Sequence, residues 1–209
     1  MKTMYIDTSS SFLFFGIVED NKLLVEVKNK YEQDLSKMAM IDIEKAFKKA
    51  RISPNDIDKI IVVDGPGSFT GIRIGITIAK VYAYSLKKEI TTISALQAMA
   101  LSSTEADYYV PMIDARRGYV YGAIYKNDLT CLYEPVHIKL SVLEEEMKKY
   151  DNIKVITNDD IDIDYKKEKY SPDILKIVNT FVNKKGINPH AVNPNYLKLT
   201  EAEENLKRK

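Results

Sequence analysis

The sequence predicts an α/β protein of two similar lobes, and three observations predict it. Each half opens with three strand-like runs and then alternates helices with strands. The polar run Ser102-Ser103-Thr104-Glu105 interrupts the chain midway, which places the lobes at 1–103 and 104–209. With 209 residues, 45% hydrophobic and 29% charged, the chain holds enough apolar material for one large domain or two modest lobes.

The elements follow in order. Met4 to Asp7 is a short apolar run, Phe12 to Val18 is rich in Phe, Leu, Ile and Val, and Asp20-Asn21 turns the chain into Leu23 to Val27. Leu35, Met38/Ala39, Ile43, Ala46/Phe47 and Ala50 recur at helical spacing, so a helix is expected from Glu32 to Arg51, stopped by Ser53-Pro54. Met40 and Ile41 lie off that stripe and make the helix apolar on more than one side. Ile60 to Val63 reads as a buried strand, the glycine-rich stretch Gly65 to Gly71 leads into a helix over Ile72 to Lys88, and Ile90 to Ile93 is a further strand. Ser94 is placed to cap a helix through Leu101. The second half repeats the plan. Strands are expected over Tyr108–Asp114, Gly118–Tyr125 and Cys131–Leu140, then a helix capped by Ser141 through Tyr150, then a strand over Ile153–Ile156. Asn158 to Lys169 shows no period and reads as an exposed loop, and Pro172 suits the first turn of a helix running to Asn183.

Charge and cysteine content exclude several classes. Thirty-one Lys and Arg against 30 Asp and Glu give a net charge of +1, not the basic stripe of a dedicated nucleic-acid binder. The pairs Lys148-Lys149, Lys166-Lys167 and Lys184-Lys185 and the tail Lys207-Arg208-Lys209 read as solvated surface. The single cysteine, Cys131, forbids an internal disulfide, and no apolar run reaches the roughly 18 residues of a membrane span. The start, Met1-Lys2-Thr3-Met4-Tyr5-Ile6-Asp7, meets an aspartate too early for a signal peptide, so a cytoplasmic location is expected.

The most informative segment is Gly65-Pro66-Gly67-Ser68-Phe69-Thr70-Gly71-Ile72-Arg73-Ile74-Gly75. A glycine-rich loop between a buried strand and a helix is where backbone N–H groups can converge on an anion. It matches neither standard phosphate pattern. Gly71 is followed by Ile72-Arg73 rather than Lys-Ser/Thr, and Thr70 stands where the dinucleotide fingerprint needs glycine. Pro66 and Thr70 flank Ser68 where a nucleophile elbow needs glycines. Read alone, the glycines serve tight turns and close helix–strand packing. Asp7 with Thr8 has the chemistry of a phosphate or Mg²⁺ site, but the simpler expectation is that they cap the first strand and fix a turn. Asp114 has the same two readings, with Arg116 and Arg117 beside it to neutralise it.

Four blocks in order, Asp7-Thr8-Ser9, the glycine run from Gly65 through Ser68 and Thr70 to Gly71, Asp114-Ala115-Arg116-Arg117-Gly118-x-Val120-Tyr121 and Pro194-Asn195-Tyr196-Leu197-Lys198, span almost the whole chain. Together they resemble the TsaB (YeaZ-type) family. The glycine run is shared with the larger catalytic paralogue TsaD, but the Asp-Ala-Arg-Arg-Gly block and the short chain favour TsaB. The resemblance implies an actin-like, sugar-kinase and Hsp70 type of fold. It also implies an accessory role, with TsaD and the ATPase TsaE, in placing threonylcarbamoyl on adenosine 37 of tRNA, the tRNA being met through the complex.

The catalytic paralogue carries a His-x-x-x-His metal pair on its first long helix. Here that helix reads Asp34-Leu35-Ser36-Lys37-Met38-Ala39-Met40, and the two histidines of the chain are His137 and His190. No catalytic residue, metal or cofactor is therefore expected of this chain, with ATP and a metal ion belonging to its partners. After Gly122 only Gly186 follows, so the second-lobe glycine turn that active relatives set against adenosine is missing. The surface expected to meet TsaD, or a second copy in some family members, runs through Leu35, Met38, Met40 and Ile41 of the first helix and Ile72, Arg73, Ile76, Thr77 and Lys80 of the second. Leu35 also belongs to the stripe with Phe47 and Ala50 expected to face the lobe's own sheet, whereas Ile72, Ile76, Ala79 and Ala83 suggest a small-residue face open to another helix. Three competing readings are an ATP-dependent kinase or ATPase of the actin-like class, a metalloprotease and a direct RNA-binding module; the missing glycine turn, the missing His pair and the near-neutral charge weigh against them in turn.

Overall fold

The computed structural model describes residues 1–198. Of the sequence expectations, the basic tail Lys207-Arg208-Lys209 lies outside the described residues. The first lobe is built from β1 (Lys2–Asp7), β2 (Phe12–Glu19), β3 (Lys22–Lys30), α1 (Leu35–Ala50), β4 (Lys59–Gly65), α2 (Phe69–Leu86), β5 (Ile90–Ser94) and α3 (Ala95–Leu101). The second holds β6 (Tyr108–Asp114), β7 (Tyr119–Lys126), β8 (Cys131–Lys139), α4 (Leu140–Met147), β9 (Ile153–Ile156), β10 (Lys167–Glu168) and α5 (Ile174–Phe181).

Each lobe has a five-stranded sheet, in order β3-β2-β1-β4-β5 and β8-β7-β6-β9-β10. In both, the first three strands pair antiparallel, and the last two join in parallel, as strands linked by crossovers must. The repeat expected from the sequence is thus a repeat of topology. It is incomplete at one place: α2 links β4 to β5, whereas residues 157–166 link β9 to β10 without a helix. There Ile161 and Ile163, 5% and 8% exposed, plug the core between exposed aspartates, so the expected loop is right and its apolar residues still have work to do.

Alternating side chains send each strand's apolar residues to both faces. Met4, Ile6, Ile60 and Val62 face α1 and α2, while Tyr5, Ile61, Val63 and Ile93 face α3 and α5. Short α3 lies between the sheets. Ala95, Ala98 and Leu101 join the first lobe's inner face, and Leu96, Met99 and Ala100 join the inner face of the second. Helix α5 returns to the first sheet through Ile174, Ile177, Val178 and Phe181, and Ile187 pairs with Ile90 at that sheet's β5 edge. Residues beyond 104 therefore supply part of the first lobe's core. A clasp reinforces the crossing: buried Lys154 pairs with Glu168 at 3.1 Å, and Glu168 also accepts from Ser103 at 3.0 Å.

Local details refine the sequence reading. Asp20 and Asn21 both adopt positive φ, 44° and 65°, the conformation that suits a right-twisted hairpin. Ser141 lies inside α4, whose cap is Lys139, so Ser141 is not the cap. Ser94 does stand at the N-cap of α3, but its hydroxyl makes no capping bond. Pro172 precedes α5, and the cap is Asp173, which accepts from the Lys176 N–H.

Fully buried Ala98 sits where α3 meets the first sheet and α5. Ala98→Leu is expected to overpack this contact and destabilise the protein by about 1–3 kcal/mol, read from the midpoint of urea unfolding.

Candidate functional site: the loop cluster at the strand ends and the outer helix face

Two groups of residues singled out by the sequence end up in separate places. The first gathers at the carboxyl end of β1, where Asp7, Thr8 and Ser9 meet the glycine segment. The Asp7 carboxylate is 1% exposed and accepts the Ser9 N–H at 2.8 Å, an Asx turn closing the strand. The Thr8 hydroxyl donates to the Gly71 carbonyl at 2.7 Å. A Cβ at Gly71 would overlap the Thr8 carbonyl oxygen, and one at Gly65, whose φ is +123°, would overlap that of Asn195. These glycines let helix α2 and the C-terminal segment approach the strand ends.

Three of the N–H groups in this loop and first helical turn are committed within the protein. Ser68 N–H donates to the Ser9 carbonyl at 2.6 Å, Gly71 N–H to the Ser68 hydroxyl at 3.2 Å and Ile72 N–H to the Ser68 carbonyl at 2.9 Å. Ser68 is thereby the cap of α2, while Gly67 turns the chain against Ser9 and Thr70 is exposed. Buried beside Asp7 are the phenols of Tyr5 and Tyr170, and Tyr170 also packs edge-on against Phe14 at 5.5 Å. Burial raises the Asp7 carboxyl above the ordinary aspartate range, opposed by the Ser9 N–H and the two phenols.

Asp114 lies at the matching end of β6, on the second lobe. Its N–H donates to Asp159 at 2.7 Å, and its own carboxylate accepts the Arg116 backbone N–H at 2.8 Å. Arg116 and Arg117 are exposed, at φ 67° and 55°, in the turn to β7. The expected neutralisation of Asp114 by their guanidiniums is not found: among the described residues the bond is made by the peptide, and no ion pair joins them. Nor does a hydrogen bond join this group to Asp7, Thr8 or Ser9.

The second group is the outer face of α1 and α2. Met40 is 46% exposed, and with half-buried Ile41 it borders an apolar groove of about 470 Å³ lined by Phe47, Tyr82 and Ile52. Tyr82 stacks on Phe47 at 5.9 Å across the two helices. Leu35 packs partly on the core, and Met38 is half-buried. On α2 two expectations are corrected: Ile72 and Ile76, with Ala79 and Ala83, are 0–4% exposed and face the lobe's own sheet. A small-residue stripe brings a helix close to a sheet as readily as to another helix. The solvent side carries Phe69, Arg73, Thr77, Val81 and Tyr84, of which the sequence reading picked out only Arg73 and Thr77. Phe69, Val81 and Tyr84 are 54%, 59% and 68% exposed, and their i, i+4 and i+3 spacing with Arg73 and Thr77 was the signal available.

The C-terminal segment runs along this face. Lys80 donates to the Val192 carbonyl at 3.0 Å, and Arg73 donates from Nε to the Tyr196 hydroxyl at 2.7 Å while its guanidinium lies 3.8 Å from the Phe69 ring centre. Arg73, Ile76, Thr77 and Lys80 with Val192 and Pro194 line a second groove of about 430 Å³.

Two mixed sheets flanked by helices, with loops converging at the ends of the middle strands, define an actin-like two-lobed protein. Two solved Pseudomonas aeruginosa structures share the fold over 94% of this chain and 99% of theirs, at 16% identity. One is an uncharacterized protein with similarity to peptidase YEAZ (TM-score 0.80), the other YeaZ (0.77). A family model described as TsaD, tRNA N6-adenosine threonylcarbamoyltransferase, matches residues 25–201; the chain belongs to this family and is a TsaB-type member of it. The tRNA threonylcarbamoyladenosine biosynthesis protein TsaB of Bacillus subtilis is 28% identical over 97% of this chain and 96% of its own. Its Escherichia coli namesake is 40% identical over 36% of this chain and 34% of its own.

Asp64, which the sequence reading passed over, sits just before Gly65 with a buried Oδ1 that has no hydrogen-bond partner. Burial pushes its carboxyl up to about 6, against the Thr92 hydroxyl and the Lys184 charge. A folded-state value above the unfolded one means the protein binds this proton more tightly when folded. The penalty of the buried charge is then present at pH 7 and relieved as pH falls through 6. Asp64→Asn is expected to raise Tm at pH 7.5 and to remove a rise in Tm that the native protein shows between pH 7.5 and 5, measured by paired thermal melts.

Proposed function

We propose that this chain is a non-catalytic subunit of the machinery that installs threonylcarbamoyl on adenosine 37 of tRNA, and that it acts by docking through α1 and α2 onto a TsaD-type subunit. The observation that carries the reading is the placement of its exposed apolar side chains. Met40 is exposed on α1 at the border of the apolar groove, and Phe69, Val81 and Tyr84 are exposed along the solvent side of α2. Patches of this kind mark surfaces that meet another protein.

The family and the TsaB relative support a role in threonylcarbamoyladenosine synthesis. Support for a non-catalytic role comes from the chain's own residues. The segment Asp34 to Met40 holds no histidine, and His137 stacks on Tyr119 at a ring separation of 5.0 Å, on the second lobe. Asp7 is enclosed by Tyr5, Tyr170 and the Ser9 N–H, and the α2 N-terminal donors named above are engaged, an arrangement that does not fit a nucleotide phosphate. In this reading ATP and the metal ion are held by the partners, TsaD and the ATPase TsaE, and tRNA is met through the assembled complex in the cytoplasm. Docking rather than chemistry is this chain's part: a rigid helix pair that holds the TsaD-type subunit in its active arrangement.

Met40→Asp combined with Ile41→Asp tests the face. The folded double variant is expected to bind a TsaD-type subunit at least about 30-fold more weakly, roughly 2 kcal/mol, with an unchanged Tm. Threonylcarbamoylation of tRNA by the reconstituted proteins should fall with it. Full binding by the folded variant would rule the face out.

A further inference from the structure

Resting on that docking reading, we infer that the groove between α2 and the C-terminal segment receives an acidic, amphipathic segment of the TsaD-type subunit, its carboxylates meeting Arg73 and Lys80.

The charge distribution carries the inference. The chain holds 30 acidic residues, yet none occurs from Gly65 to Lys88 or from Ile174 to Lys198. These two stretches lie together in space, because the segment from Ile187 to Tyr196 runs from the β5 edge along α2. The result is an acid-free wall with Arg73 and Lys80 on one side of the groove and Val192, Asn193 and Pro194 on the other. On other helices several lysines have carboxylates within reach: Lys45 and Lys48 pair within α1, and Lys148 and Lys149 at the end of α4 pair with Glu145 and Glu146. Arg73 and Lys80 have no carboxylate partner among the described residues.

Both cations are also held in place. Arg73 lies on the Phe69 ring and bonds Tyr196 through Nε, which leaves its Nη groups for a second partner. Lys80 bonds the Val192 carbonyl with one of three donors. Fixing the side chains beforehand lowers the entropy lost when an anion binds. The groove is bounded by Ile76, Val192 and Pro194, which suits an apolar side chain between carboxylates better than a sugar–phosphate backbone. The near-neutral chain argues the same way.

The test compares wild type with Lys80→Glu and Thr77→Glu by titration with the TsaD-type subunit. Thr77 is exposed, so its variant adds a negative charge while leaving the Arg73–Phe69–Tyr196 stack intact. Each variant is expected to bind about ten-fold more weakly at low salt, with the gap closing near about 0.5 M salt as charge is screened. Equal binding by folded variants at every salt concentration overturns the inference while leaving the docking reading standing. Normal assembly with weakened tRNA capture by the complex also overturns it, since the groove would then face nucleic acid. Failure of the wild type to bind removes the docking reading and this inference together.

Discussion

The structure depends above all on the burial of α3 from both sides. Seven residues, Ala95 to Leu101, link two sheets that would otherwise each expose an apolar inner face. Three alanines, each at most 3% exposed, let the sheets close on a single helix, and Leu96, Met99 and Leu101 fill the space beside it. A longer side chain facing either way would part the sheets, which are packed as densely as any core. The lobes are therefore one body energetically, and the chain reinforces this by sending α5 back to the first sheet and tying Glu168 to Lys154 and Ser103.

That single body explains why the strand-end cluster is so closed. In a two-lobed fold the loops at the ends of the middle strands face a cleft, the place where such architectures can take ligands. Here Tyr170 reaches in from the second half of the chain, packs on Phe14 and shares the buried surroundings of Asp7 with Tyr5. The glycines next to it are used for contact between the protein's own segments. The exposed apolar side chains of α1 and α2, Met40, Phe69, Val81 and Tyr84, lie away from it, on the far side of the first sheet.

Much of this was legible in the sequence because periodicity reports burial. The strands from Ile60 and Ile153 and the Asp20-Asn21 turn all carry local signals, and their centres fall where those signals lie. The crossing of α5 was not legible, since its apolar residues at Ile174, Ile177, Val178 and Phe181 say that a face is buried but not against which sheet. The same ambiguity reversed the faces of α2. With apolar residues on both sides, the helix offered two stripes, and only the close packing of Ile72, Ile76, Ala79 and Ala83 on the strands decides between them. Asp64 and Tyr170 were missed for another reason. Asp64 at the end of an apolar strand and Tyr170 in a polar stretch are single residues without a pattern, and segments distant in sequence help to bury both.

The missing counterpart of α2 in the second lobe has a geometric consequence. A molecule built as two equal halves, each with its own pair of outward helices, would offer two sockets pointing in different directions, and contacts made through both could extend without limit. Replacing one helix with the connection at 157–166 leaves this protein with a single α1–α2 type of pair. A two-fold contact between identical copies through this one pair would use it up on both molecules and close as a dimer, with no matching helix pair on the second lobe, among the described residues, to carry it further.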